Sequence, residues 1–325
     1  MAVHFAFVTR QMGDQMKRYA CAFAFAAMMT GVDAKSLSAQ EWQTLDDEPS
    51  RADLFAEYIV PKQIDDKQAH ATALLGPFVF PSDTTYDKIK DRPRADVIFG
   101  IDISHYEGST FRFDGLKAQN VRFVYAKATQ GIAYKDGRFA EYWAALAAFP
   151  PEKRVLRGAY HFLSSSGDGV EQADRFLKFL EQNGGLQPGD LPPVLDLEWD
   201  KATTNGPDRW QGHKADDIID TVLAWLKRVE EKTGKVPVVY TARTWWRDRG
   251  IPEEKFARLN HYRVWVADYS KSSHAVEVPV APNRSHFDLW QFSEQARLST
   301  GYGGKVDANI YYGSEKKFIS DFQIK

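Results

Sequence analysis

Two kinds of hydrophobic pattern alternate along the chain after about residue 95. Short apolar runs of four to eight residues read as buried strands, and between them lie amphipathic stretches with a repeat near 3.6 residues. The strand candidates are Val97–Ile103, Arg122–Ala128, Val155–Phe162, Pro193–Glu198, Val236–Thr241, Arg263–Ala267, Phe287–Phe292 and Lys305–Tyr311. Several are nearly continuous apolar runs, as expected of parallel strands covered on both faces. The helix candidates are Phe139–Phe149, rich in Ala and aromatics, Val170–Leu180, and Asp216–Lys232. Val170, Phe176, Leu177 and Leu180 would form the apolar face of the second. Ile218, Ile219, Val222, Leu223, Leu226 and Val229 give the third its period. The intervals before Phe287 and Lys305 are poor in helix signal and carry Pro279, Pro282 and Gly-rich turns. Alternating strands and helices predict an α/β barrel of eight strands, with an irregular, partly antiparallel closing third.

Upstream the pattern differs. Tyr19–Val32 is an uncharged apolar run preceded by Lys17 and Arg18 and followed by Val32-Asp33-Ala34. This is the layout of a secretory signal peptide with cleavage after Ala34. The run is shorter than the ~20 residues of a membrane span, so no stable span is expected after cleavage. Initiation at Met12 or Met16 would give the leader a more ordinary length. Residues 35–94 are polar and interrupted by Pro61, Pro77, Pro81 and Pro93, with short helices expected at Ala52–Val60 and Asp65–Leu75. They form an N-terminal extension, and residues 95–325 form the barrel. The expected location is periplasmic or extracellular. Cleavage would remove Cys21, the only cysteine, leaving a chain that needs no disulfide in an oxidising compartment.

A formal net charge of −2 gives no global basic field for nucleic acid. The 8 histidines show no H-x-H or H-E-x-x-H spacing, so neither a metal nor another cofactor is indicated. The 14% aromatic content supplies a core and also stacking faces for sugar rings.

In a β/α barrel the chemistry gathers at the C-terminal ends of the strands. Four carboxylates fall there: Asp102, Asp196, Glu198 and Asp307. Asp196 and Glu198 are separated by one residue, so on a strand they share a face. Their Cβ atoms would lie roughly 6–7 Å apart. Anions crowded into a desolvated cleft raise the pKa of at least one of them, and glycoside hydrolysis needs that pairing of a protonated acid with a carboxylate. His161, Asp268 and Trp290 lie at the same strand ends and are candidate substrate contacts, although a lone histidine such as His161 is more often a hydrogen-bonded core residue than a catalyst.

Eight motifs now stand in a fixed order: GIDISHYEG at Gly100–Gly108, KATQGIAYKDGRF at Lys127–Phe139, RGAYHF at Arg157–Phe162, PVLDLE at Pro193–Glu198, PVVYTAR at Pro237–Arg243, VWVADY at Val264–Tyr269, LWQFS at Leu289–Ser293 and VDANIYYG at Val306–Gly313. From about Val97 to Phe322 the chain resembles the family 25 glycoside hydrolases, the Chalaropsis-type lysozymes. The resemblance implies a modified TIM-like barrel of about five β/α units closed by three further strands. It implies cleavage of the β-1,4 bond between N-acetylmuramic acid and N-acetylglucosamine, with peptidoglycan glycan strands as partner. It implies Glu198 as general acid, Asp196 as the residue that stabilises or orients the intermediate, and Asp102 and Asp307 in support. Tyr160, Tyr240, Trp265 and Gln291 fall where the family lines its sugar subsite. Tyr106 stands where family members often carry Trp or another bulky aromatic, and Leu163-Ser164-Ser165 follows the third motif where a further aromatic or polar pair is more usual. Two alternatives are a chitinase-like hydrolase and a non-catalytic glycan-binding barrel. The first expects a longer acidic run before Asp196, where Val194 and Pro192 stand instead. The second expects loss of the acid, and Glu198 is present.

Overall fold

The structure, a computed structural model, describes residues 78–88, 90–203, 206–270, 273–282 and 286–325. The leader and the two helices expected at Ala52–Val60 and Asp65–Leu75 lie outside the described residues. Within them, eight strands close into a barrel: β4 (Val97–Ile103), β5 (Val121–Gln130), β7 (Leu156–Phe162), β8 (Val194–Leu197), β9 (Val238–Ala242), β10 (Arg263–Ala267), β11 (Leu289–Leu298) and β12 (Val306–Tyr312). From β4 to β11 neighbours run parallel; β12 closes the ring antiparallel to both β11 and β4. This is the α/β barrel the patterns predict, and β12 supplies its antiparallel closure.

The helices cover the outside. Helix α1 (Phe139–Ala147) buries Phe139, Tyr142, Trp143 and Leu146. Helix α2 (Gly169–Gln182) starts where the Asp168 carboxylate accepts from the Val170 and Glu171 N–H groups, an ordinary N-cap. Helix α3 (Ala215–Thr233) buries Ile218, Ile219, Val222, Trp225, Leu226 and Val229 at helical spacing and stops at Gly234, which takes the left-handed conformation. Val170, expected on the buried face of α2, is exposed, and Gln172 is fully buried in its stead. The Gln172 amide has bonds to make there that no apolar residue could make. Short elements without a clear pattern complete the unit: β1 (Phe78–Phe80), the hairpin of β2 (Tyr86–Asp87) and β3 (Arg92–Pro93), β6 (Tyr134–Lys135) against β5, α4 (Arg243–Asp248) and α5 (Glu315–Asp321).

The barrel interior is filled by aromatics resting on glycines. A Cβ on Gly100 would sit 2.2 Å from a Phe123 ring carbon, and one on Gly158 would sit 2.1 Å from Tyr125 Cε1. Tyr125 then meets Trp265 at 5.2 Å between ring centres, and Trp265 meets Tyr240 edge-on at 5.0 Å. These rings form an apolar floor beneath the mouth. Adding a methyl to a close-packed wall forces neighbours off their rotamers. Gly158→Ala should therefore cost about 1–3 kcal/mol, read as a lower midpoint in urea denaturation; an unchanged midpoint would show that Tyr125 is free to move.

Candidate active site

Strand register decides which side chains reach the mouth, because partners in a ladder share a face and neighbours along a strand do not. Asp307 pairs with Asp102, Asn309 with Gly100, and Gln291 with both Asn309 and Ala267. Asp196 pairs with Phe162 on one side and Tyr240 on the other, and Tyr240 pairs with Trp265. One inward ring thus holds Asp102, Asp196, Asp307, Tyr240, Trp265 and Gln291. Glu198 follows two residues after Asp196, and Tyr160 lies on the same face one step below Phe162. Asp196 and Glu198 are fully buried and Asp102 nearly so.

The ring is wired through two amides. Gln291 Nε2 donates to Asp102 Oδ2 at 3.0 Å and to Asp307 Oδ2 at 3.2 Å. Its Oε1 accepts from the Tyr240 hydroxyl at 2.8 Å and from the Tyr269 hydroxyl at 3.4 Å. Asn309 Nδ2 donates to the same Asp102 oxygen at 2.8 Å, while Asn309 Oδ1 accepts from Trp265 Nε1 at 2.9 Å. Burial, then the neighbouring Glu294, Tyr240, Asp307 and Glu198, hold the Tyr269 phenol well above its usual range. Tyr269 therefore feels both Glu198 and Asp307.

The same alternation takes two expected substrate contacts out of the cleft. His161 pairs with Leu195 and faces the helices. Its ring stacks on Trp225 at 5.6 Å, Nδ1 meets Thr129 Oγ1 at 2.8 Å, and Nε2 meets Gln172 Oε1 at 3.2 Å. The Gln172 Nε2 group donates to Ser164 and Gly167 carbonyls, so its Oε1 is an acceptor and His161 carries its proton on Nε2. Trp290 pairs with Val266 and Ile310, packs on Phe292 and donates its Nε1 proton to the Asp268 carbonyl. Asp268 itself is half-buried at the rim, with Oδ2 accepting from Val280 N.

Several residues of the site carry weaker sequence signals. Asn309 lies two positions after Asp307, the spacing that puts it on the same face, and Tyr269 follows directly after Asp268. Asp200 lies two after Glu198 and is fully buried. Its Oδ2 accepts from Ser165 N at 2.7 Å, Ser165 Oγ at 2.8 Å and Ser164 Oγ at 3.1 Å, and its Oδ1 pairs with Arg209. The Ser164-Ser165 pair thus ties the loop after β7 to the loop that carries Glu198. Near Asp102, Ser104 and Glu107 form a capping box in which Ser104 N donates to Glu107 Oε2 at 2.6 Å. Burial pushes the Glu107 carboxyl up to about 7, against the pull of its backbone N–H bonds and with help from the Asp102 and Asp136 anions.

His161 gives the fold a measurable acid sensitivity. Burial drives its pKa down to about 3 from 6.5, the Gln172 bond opposing and the Lys127 charge assisting. A depressed folded pKa contributes stability that is complete above the unfolded value and is lost as pH falls from about 6.5 toward 3. At pH 4.5 the loss attributable to His161 should be about 2–3 kcal/mol. Urea denaturation at pH 7 and pH 4.5 should show a steeper drop for the natural protein than for His161→Gln; equal drops would mean that His161 takes up its proton readily in the folded chain.

Comparison with known proteins agrees with this architecture. The family model for glycosyl hydrolases family 25 matches residues 101–300. Lysozyme M1 of Streptomyces globisporus is 31% identical over 227 residues, covering 68% of this chain and 70% of that protein. The N,O-diacetylmuramidase of Chalaropsis sp is 34% identical over 151 residues, covering 45% of this chain and 67% of its own. Among solved structures, the bacterial lysozyme from Streptomyces coelicolor superposes with a TM-score of 0.58 at 28% identity, covering 70% of this chain and 97% of that one. With the closed barrel and the carboxylate ring at its mouth, these matches show that the chain belongs to family 25 of the glycosyl hydrolases and is a glycoside hydrolase.

Proposed function

We propose that this hydrolase cleaves the β-1,4 bond between N-acetylmuramic acid and N-acetylglucosamine in peptidoglycan, with Glu198 as general acid and Asp196 as stabiliser of a substrate-assisted intermediate. The observation that carries the reading is the placement of Asp196 at the end of β8, in register with Tyr240, with Glu198 just beyond it and the Asp102–Gln291–Asp307 network across the mouth. The lysozyme and muramidase relatives support the substrate. The run of Tyr19–Val32 after Lys17 and Arg18 supports export to where peptidoglycan lies.

Glu198 has one methylene more than Asp196 and reaches further from the strand, so it donates the proton to the departing glycosidic oxygen. The carbonyl oxygen of the substrate's own 2-acetamido group attacks the anomeric carbon as that bond breaks. Asp196 accepts the amide N–H and stabilises the developing positive charge. Water then opens the cyclic intermediate and returns its proton to Glu198. Two inversions at one carbon give net retention. Asp102 and Asp307 act through Gln291, which fixes the Tyr240 and Tyr269 hydroxyls. Tyr160 and Trp265 shape the sugar subsite, and Asp268 borders it.

Digestion of purified peptidoglycan tests the bond assignment. Mass analysis of the new reducing ends should find N-acetylmuramic acid; N-acetylglucosamine there would make the enzyme a glucosaminidase.

The division of labour is tested by substitution. Glu198→Gln and Asp196→Asn should each lower kcat by roughly 10²–10⁴, the range for losing an acid–base or electrostatic group. Asp102→Asn should lose less. Full activity of Glu198→Gln would remove the acid from the scheme. NMR in the first moments of digestion should show the β-anomer; an inverted product would instead assign Asp196 or Asp102 to activating water.

A further inference from the structure

The stretch before the barrel is built into the mouth. It lies outside residues 101–300, the part matched by the family, yet it is tied to the loop that carries Asp268 and Tyr269. Strand β1 runs parallel to the far end of β11, Phe78 opposite Ala296 and Phe80 opposite Leu298. Phe80 is buried against Phe99 and Phe292 at 5.5 and 5.9 Å. After the β2–β3 turn comes Arg94, whose side chain is only 5% exposed.

The Arg94 guanidinium makes a fork that reaches both sides. Nε donates to the Thr84 carbonyl at 2.9 Å within the upstream stretch, and Nη1 lies 3.7 Å from Asp87 Oδ2. Nη2 donates across to the His274 and Ala275 carbonyls at 3.1 and 2.8 Å. A second tie runs from His274 Nδ1 to the Asp83 carbonyl at 2.8 Å, and Phe78 lies against the His274 ring at 5.4 Å. The backbone held there is strained: Ser273 and Ala275, neither a glycine, have φ of 55° and 53°. Such conformations persist only where the surroundings over-determine them. Arg94 bonds to the carbonyl of one of these residues and of the residue between them.

The same loop reaches the cleft. Ser270 Oγ donates to Glu277, and Val280 N donates to Asp268 Oδ2. Asp268 N and Ser270 N donate to the β11 carbonyls of Gln291 and Phe292. Tyr269, between them, reaches Gln291 Oε1 and lies in the field of Glu198 and Asp307. We propose that residues Phe78–Arg94 are a working part of the substrate cleft, with Arg94 a positioning residue that sets Asp268 and Tyr269 for glycan binding. The proposal rests on the reading that the cleft at this mouth takes the glycan. Arg suits the post because its planar fork serves several acceptors in fixed directions, which an ammonium cannot do.

The test uses the full chain with solubilised, uncrosslinked glycan chains from peptidoglycan. Arg94→Ala should raise KM roughly tenfold with kcat within about twofold, because none of these contacts is made by β8, which ends just after Asp196, or by Glu198 just beyond it. A cavity of about 470 Å³ bordered by Asp87, Arg94, Ala275 and Tyr312 leaves room for free guanidinium, which should restore KM in Arg94→Ala at non-denaturing concentration. Arg94→Lys should stay impaired. An unchanged KM, or losses of kcat and KM that track the unfolded fraction and resist guanidinium, would overturn the proposal. Calorimetric binding of the same glycan fragments needs no turnover, so it separates the two readings. If the natural protein binds them without cleaving, the proposed muramidase reading fails, and the affinity ratio to Arg94→Ala still decides the clamp.

Discussion

The Gln291 side chain spends all four of its hydrogen-bonding positions at the closing seam of the barrel. A primary amide has two N–H donors and an oxygen with two lone pairs. Here the donors go to Asp102 and Asp307 and the lone pairs take the Tyr240 and Tyr269 hydroxyls. The seam needs such a group. Strand β12 runs antiparallel to β4 and sets Asp307 directly opposite Asp102, which places two anions together at the end of a buried sheet. Like charges so placed repel, and a buried acceptor left unmet is costly. A glutamate at position 291 would add a third anion, and an apolar residue would leave both carboxylates short of a donor. Asn309, wedged between Asp102 and Trp265, extends the same solution down to the aromatic floor.

Much of this was legible in the sequence, for a physical reason. The barrel strands are covered on both faces, so they appear as apolar runs, and Val97–Ile103 and Arg263–Ala267 match the observed strands to the residue. Carboxylates that interrupt such runs at their ends stand out, which is why Asp102, Asp196 and Asp307 could be found. Apolar runs do not say which face points inward, because both faces are apolar. The apolar pattern therefore groups His161 and Trp290 with residues that point inward, and each lies one position out of phase with its strand's inward set. The clue was available in the spacing: Tyr160 and Phe162 flank His161, and Gln291 sits one step from Trp290. Val170 failed differently. Helical period favoured an apolar residue, whereas the buried position went to Gln172, whose amide joins His161 to the Ser164 turn. No local pattern announces a polar side chain whose partners come from another element.

The upstream stretch was least legible because its elements are two and three residues long and gain their order from the barrel. Phe78 and Phe80 are an alternating pair too short to be read as a strand. Arg94 in isolation is one more surface-type cation. Its meaning arises only when a loop some 180 residues later folds onto it, and the separation in sequence hides the pairing completely.

Two ways of holding a loop thus meet at one mouth. After β8, the fully buried Asp200 gathers Ser164 and Ser165 from the adjacent β7 loop and Arg209 from its own segment, and so braces the loop that begins at Glu198. After β10, the loop carrying Asp268 and Tyr269 has no helix among its described residues, and the cation comes from outside the family's matched region. Both devices put an ionised group at the centre and distribute its hydrogen bonds over backbone and hydroxyl partners, which fixes direction as well as distance. The floor of aromatic rings fills the barrel beneath and joins this network through Trp265 Nε1 and the Tyr240 hydroxyl. The proposed acid chemistry depends on such bracing, because a proton donor works only where its oxygen is held within hydrogen-bonding reach of the leaving group. The polar residues of this mouth are consequently arranged around two buried carboxylates, Asp102 on β4 and Asp200 in the loop that follows Asp196 and Glu198.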